Sequence, residues 1–402
     1  MKKIITMLGL MVMMTGTTAF AQDQTAVRGF SSLTSQADID DISAAYMNPA
    51  GTAFLPKGHY MQTNVIYMNT KVGYTIKDPA QVVNPSSPGK AKYQAAINAV
   101  MPTSYYGYSD GKQTFFLYSV IQGGSPNSVN YDKALFPIGG GKYVEKKMEA
   151  LSFAEDIGVG VARKLNDHLA VAVRADILYR KDVFKISGIG TSDKGEATGS
   201  GMAVEWAFGL DYHPNPNDNY SLMFCTPKTY TTKGSYYSTS GTATSLFANP
   251  QIDGMIAKGA QEHPTYDPWI IRAGASHIFP SKLKLSIASS AYLYGEIKDG
   301  PDNYRNQYGV AASLSYPIRP NLTAVLGAAH YTSNYKNNQF DMGGLGATES
   351  LVGCGLQWEM AKGKKMEMGV YMPKWRDGSN PDLKDINMES KTMMCLNYTQ
   401  HY

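Results

Sequence analysis

Three cysteines in 402 residues, Cys225, Cys354 and Cys395, are too few and too widely spaced for a disulfide framework or a zinc site. Their odd number, and their positions inside three separate alternating stretches, make them small apolar fillers. Charge is scarce as well, at 17% of residues, and the formal net charge of +4 includes Lys2 and Lys3 at the very start. That balance is too weak to attract nucleic acid. Long hydrophobic runs are also missing. After residue 21 no segment has the roughly 20 consecutive apolar residues that a membrane helix requires. If the chain enters a bilayer, only a closed β-barrel satisfies its backbone there.

The N-terminus carries Lys2-Lys3, an apolar run over 4–14 and then Ala19-Phe20-Ala21. This is the pattern of a secretory signal peptide over 1–21, cut after Ala21. Gln22, not a cysteine, follows the cut, so the sequence gives no sign of a lipid anchor. The segment 22–58 is rich in small residues, acidic in its middle at Asp38, Asp40 and Asp41, and lacks sustained alternation. It reads as a compact N-terminal plug, with a barrel over 59–402.

What the chain has in abundance is tyrosine (28), glycine (39) and period-two hydrophobicity. In 201–212, Met202, Val204, Trp206, Phe208, Leu210 and Tyr212 alternate with Ala203, Glu205, Ala207, Gly209 and Asp211. Leu169, Val171, Val173, Ala175, Ile177 and Tyr179 repeat the pattern, with Arg174, Asp176 and Arg180 on the opposite face. Similar alternation occurs around Arg272, over 307–316 and over 366–372. An apolar outer face against a small or polar inner one suits lipid outside and a lumen inside.

A soluble sandwich also alternates, so turn lengths carry more weight. Short turns at 110–111, 166–168, 214–219, 279–281, 317–320 and 361–363 take turns with long connections at 77–102, 123–149, 186–199, 233–265, 298–303, 336–345 and 376–389. Tight turns at one rim and longer loops at the other predict an all-β, fourteen-stranded antiparallel transmembrane β-barrel of the bacterial outer membrane. The last strand, 390–402, ends on the aromatic Tyr402, as expected of a strand read by the barrel-assembly machinery. Tyr179, Trp269, Phe279, Tyr316 and Trp358 fall near strand ends, where aromatic girdles belong.

The most specific local sequence is Asp40-Asp41-Ile42-Ser43-Ala44-Ala45-Tyr46-Met47-Asn48-Pro49-Ala50-Gly51-Thr52-Ala53-Phe54-Leu55. Further on, Ser104-Tyr105-Tyr106-Gly107-Tyr108 precedes a hairpin, and Gly123-Gly124 precedes an aromatic, charged loop. Together with the leader, plug, strand count and terminal aromatic, these resemble the FadL/TodX family of outer-membrane transporters for hydrophobic compounds such as long-chain fatty acids. The resemblance implies that Asn48, Pro49 and Ala50 form a hatch in the lumen. It also implies a kinked third strand (113–122, with Gly123 and Gly124 as its weak point), through which apolar substrate leaves sideways into the bilayer. From the residues alone, Asn48-Pro49 is equally a turn starter leading into strand one.

Two external connections contain helix-compatible stretches, 90–100 and 251–260. In the second, Leu246 and Phe247 precede Ile252, Met255 and Ile256 at helical spacing, either as a cap or as a substrate-capture surface. Arg174, Arg180 and Arg272 could hold a fatty-acid carboxylate in the lumen or pair with Asp156, Asp176, Glu205 and Asp211. Gly107-Tyr108-Ser109-Asp110-Gly111 matches G-x-S-x-G, but it lies at a hairpin where a nucleophile elbow must join strand to helix. The expectation is therefore a monomeric, non-enzymatic barrel in outer-membrane lipid, with a hydrophobic small molecule as ligand and without cofactor, metal or nucleic acid. A barrel of this kind serving as a secretion scaffold or shuttle is the alternative.

Overall fold

Branched and aromatic side chains at every second position cannot line up along one face of a helix. In a paired strand they fall on one side and leave the other side to small and polar residues. A computed structural model describes residues 41–83, 85, 87–89, 92–121, 127–139, 142–188, 194–238, 259–297, 304–334, 349–375 and 383–402. The proposed leader 1–21 and the first part of the plug, 22–40, lie outside the described residues. Among those described, no helix is long and apolar enough to cross a membrane.

The wall begins with β1 (Gly58–Ile76), β2 (Val82–Val83), β3 (Lys92–Ser109), β4 (Gln113–Ile121), β5 (Asn127–Gly139) and β6 (Lys142–Lys164). It continues through β7 (Leu169–Gly188), β8 (Lys194–Asn215), β9 (Asp218–Cys225), β10 (Lys228–Ser238), β11 (Gly259–Asp267) and β12 (Ile270–Ile278). The last third is β13 (Lys284–Tyr292), β14 (Gln307–Arg319), β15 (Leu322–Tyr331), β16 (Glu349–Ala361), β17 (Lys364–Trp375) and β18 (Leu383–His401). β4 and β5, β9 and β10, and β11 and β12 are each one stave interrupted midway, and β2 is a two-residue edge piece. The eighteen segments thus make fourteen antiparallel staves. β1 pairs with β3 on one side and β18 on the other, which closes the barrel. At the seam the Tyr60 and His401 rings stack at 4.4 Å, and Tyr402 N–H donates to His59 O at 3.0 Å.

Tight turns at 110–112, 165–168, 216–217, 279–283, 320–321 and 362–363 share one rim with Gly58 and His401. Gly111 and Gly363 take φ of +94° and +73° there, a region that glycine enters without a Cβ penalty. Facing outward between the rims are Ile157, Val159, Ile177, Val204, Trp206, Phe208, Val310, Leu326 and Met368, all exposed. A contiguous apolar outer surface of this kind needs lipid around it. Phe279, Tyr316 and Trp358 face out near the tight-turn rim, and Phe224 stacks on Trp269 at 5.0 Å.

The external side differs from expectation in one consistent way: the strands run farther. Residues 92–100, expected to be helical, belong to β3 and pair with β1 from Lys92 opposite Thr75 to Ser109 opposite Gly58. Their helix propensity differs by only tenths of a kcal/mol per residue, and an available edge outweighs it. The stacked Tyr74 and Tyr93 rings, 5.5 Å apart, reinforce that register. Most of the expected 123–149 loop is likewise a hairpin of β5 and β6, and β7 and β8 extend into 186–199. β6 has 23 residues and β8 has 22, about twice the 9–11 that span a bilayer. Above Leu151 and Tyr179 the outer face of this raised wall carries Glu149, Lys147, Lys181 and Lys185.

Candidate functional site: the hatch and its ion network

The described part of the segment expected to be the hatch consists of a single helical turn, α1 (Ala44–Met47), and a 3-10 helix over Pro49–Phe54. Asn48 joins them. Its backbone is extended (φ −149°, ψ 97°), as a residue before proline prefers, and its Oδ1 caps the 3-10 helix by accepting from Ala50 N–H at 3.4 Å. Its Nδ2 reaches across to β8, donating to Leu210 O at 3.1 Å and Asp211 Oδ2 at 3.2 Å. Gly209 makes this approach possible, because a Cβ there would overlap Asn48 Oδ1 and crowd Pro49 and Ala50. Asn48, Pro49 and Ala50 are buried against β8 at this point.

Further bonds tie the hatch to the tight-turn half of the barrel. Thr114 Oγ1 donates to Thr52 O at 2.8 Å, and Ser109 Oγ donates to Leu55 O at 3.0 Å. The serine of the G-x-S-x-G match thus serves the hatch and its own turn. Ile42, Ala44, Ala45, Tyr46, Met47, Ala50 and Ala53 bury themselves with Tyr60, Tyr105, Phe116, Tyr118, Ala162, Ala170 and Ala172 of the wall. Alanines on both sides let backbone and wall approach closely.

Above the hatch lies a chain of buried charges. Arg174 Nε and Nη2 are each 2.7 Å from Asp176 Oδ2, and Nη2 is 2.8 Å from Glu205 Oε1. Arg174 Nη1 donates to the hatch carbonyls Tyr46 O and, at 3.4 Å, Ala45 O. Lys228 Nζ continues the chain to Asp156 at 3.1 Å and Glu205 at 3.4 Å, while Tyr118 O–H donates to Asp176. The Tyr46 ring meets Tyr118 edge-on at 5.5 Å and lies under two cations, Arg174 at 5.0 Å and Arg272 at 5.9 Å. Desolvated charges persist only when paired, and here Asp176 and Glu205 pair with Arg174, and Asp156 and Glu205 with Lys228. Of the two roles open to Arg174, the geometry fills the structural one: all its nitrogens point at carboxylates or hatch carbonyls.

The third stave is broken just above this network. Val120 faces Thr103 and Asn127 faces Ala99, so seven steps along one strand answer four along the other. On the far side Ile121 faces Glu155 and Asn127 faces Ser152, six steps against three. Both ladders accommodate three extra residues at the same height, and Pro102, which has no N–H to donate, sits opposite the break.

No protein-family model and no curated protein matches the chain. Among solved structures it is similar to a Pseudomonas aeruginosa FadL homologue, at TM-score 0.70 and 15% identity, over 94% of this chain and 98% of that one. It is similar to the P. putida toluene transporter TodX at TM-score 0.66 and 11% identity, over 96% and 99%. The Ralstonia pickettii toluene transporter TbuX gives 0.64 and 13%, over 94% and 99%. The fold is that of the FadL/TodX barrels.

In this FadL/TodX-type barrel the remaining expected site residues separate into two groups. Arg180 and Arg272 are inward and buried, and Arg272 Nη1 is 3.7 Å from Met223 Sδ. Gly123, Gly124, Leu246, Phe247, Ile252, Met255 and Ile256 lie outside the described residues. Tyr46, Gly209 and Lys228 were not singled out from sequence. Gly209 had a legible signal, a glycine on the inner face of a strongly alternating strand; Lys228 follows a strand interruption and had none.

Proposed function

We propose that this barrel takes up hydrophobic small molecules, long-chain fatty acids among them, across the outer membrane by passive diffusion. Substrate is captured at the external loops by Leu246, Phe247, Ile252, Met255 and Ile256, and leaves sideways at the strand-three break. The carrying observation is the conjunction of a hatch bonded into the tight-turn half of the lumen with a three-residue break in both ladders of the adjacent wall. Structures of similar fold, a toluene transporter and a monoaromatic hydrocarbon channel, support the substrate class. Each CH₂ moved from water to an apolar path gains about 0.8 kcal/mol, so no energy source is needed.

The test is binding of a long-chain fatty acid and of toluene to the purified full-length protein, wild type against an Ile252→Asp, Met255→Asp, Ile256→Asp variant. Saturable binding lost in the variant supports uptake through this loop. Absence of binding of either ligand to wild type would favour the scaffold role.

A further inference from the structure

The inner faces of β3, β1 and β18 carry a belt of polar side chains, each with one atom that lacks a partner. These atoms are Thr103 Oγ1, Gln62 Oε1, Asn64 Nδ2, Asn397 Oδ1 and Thr399 Oγ1. Each residue is more than nine-tenths buried. They form a contiguous patch, because Asn64 faces both Thr103 and Asn397, and Gln62 faces Thr399. Same-face neighbours on adjacent strands sit about 5 Å apart. Buried polar groups are nearly always satisfied, and each exception calls for a physical reason.

The chemistry of the belt is mixed in sign. Asn397 Nδ2 donates to Glu367 Oε2 at 2.8 Å, which fixes that amide and leaves Oδ1 as an acceptor. Gln62 Nε2 donates to Asn64 Oδ1 at 3.1 Å. Exchanging O and N in both amides keeps that bond and still leaves one donor and one acceptor. The threonine hydroxyls serve either way. A matching ligand must therefore both donate and accept. An ionised carboxylate only accepts, and it would meet the buried Glu367 beside Asn397.

Polarity changes one step higher on the same strands. Ile66 faces Met101 and Cys395, and Met68 faces Ala99 and Met393, all buried. Below, Thr399 lines a pocket of about 530 Å³ at the tight-turn rim, with Tyr60, Lys365 and His401 also on its wall. The wall thus offers an adaptable, methionine-rich surface for a chain directly above a hydrogen-bonding floor whose nearest charges, Glu367 and Lys365, pair with each other at 3.1 Å.

We propose that the Thr103–Gln62–Asn64–Asn397–Thr399 belt is a ligand site for hydrophobic molecules bearing one neutral donor–acceptor group, a hydroxyl above all, held head toward the tight-turn rim. This rests on the uptake reading and narrows its substrate class.

The experiment is equilibrium binding of radiolabelled 1-dodecanol and of dodecane to the full-length protein in nanodiscs, with empty nanodiscs subtracted. Wild type is compared with Asn64→Leu/Asn397→Leu, and folding is checked by heat-dependent gel mobility. The expected result is dodecanol binding weakened about tenfold or more, the scale of one or two hydrogen bonds, with dodecane within about twofold. Thr399→Val repeats the comparison if the double variant does not fold, and shifts dodecanol alone. Equal dodecanol binding by wild type and variant overturns the proposal, since the belt then holds only water. Equal loss of both ligands overturns it too, because the belt then contributes packing and not head-group recognition. If neither ligand binds wild type, the uptake reading itself fails.

Discussion

Replacing Arg174 with methionine removes the side chain that joins the hatch carbonyls to Asp176 and Glu205 while keeping most of its volume. Its guanidinium bonds to Tyr46 O, Ala45 O, Asp176 and Glu205 at once. Hydrogen bonds from a charged donor contribute about 1.5–3 kcal/mol each. Removing one partner of a buried ion pair costs about 3–5 kcal/mol, because the other charge stays unpaired. Lys228 still faces Glu205, so most of the second penalty falls on Asp176. The hatch-specific share is then about 2–3 kcal/mol, some 30- to 150-fold in a local opening equilibrium at 1.4 kcal/mol per decade. Hydrogen exchange followed by mass spectrometry reads this directly, with peptides from 41–58 as the probe and β13–β16 as the internal reference. Exchange over 41–58 should rise by one to two decades while the reference strands stay within about twofold. Adding Asp176→Asn should recover barrel stability but leave the hatch fast. If 41–58 exchanges as in wild type, Arg174 does not hold the hatch and the reasoning is wrong. A uniform rise across the barrel would refute it as well, by making the network a wall element.

Gly209→Ala should drive Asn48 out of its seat and raise hatch exchange with the barrel still folded; unchanged exchange would mean that the approach at Gly209 is looser than described. Asn48→Ala loses a cap and two bonds to β8, and should destabilise the hatch by about 1–2 kcal/mol, seen as faster proteolysis near residues 41–58. Asp110, in a fully exposed turn, accepts from Lys112 and Gln113 N–H at 2.7 Å each, and these bonds lower its pKa. Its contribution to the turn is present above the unfolded carboxylate pKa of about 3.9 and is lost as pH falls through the lowered folded value. An NMR titration should therefore give a midpoint below the ordinary carboxylate range, and a midpoint at or above it would contradict these bonds.

The alternation of Leu169 through Arg180 and of 201–212 was enough to determine an all-β chain, and the exchange of tight turns for long connections, which a sandwich does not require, pointed to a barrel. The rhythm of tight turns gave the number of staves, and the terminal Tyr402 their closing seam. Asn48-Pro49 announced a turn, and proline's fixed φ explains why that was legible locally. Sequence left open whether Arg174 pairs with ligand or wall, and only the fold decided it, by bringing Tyr46 O and Glu205, 128 and 31 residues away, to the same guanidinium. The helix expected at 90–100 failed for the same kind of reason: β1 offers an edge whose pairing energy is invisible in the segment itself. Gln62, Asn64 and Asn397 looked like ordinary strand polar residues, and their shared belt exists only because barrel closure sets the last strand beside the first.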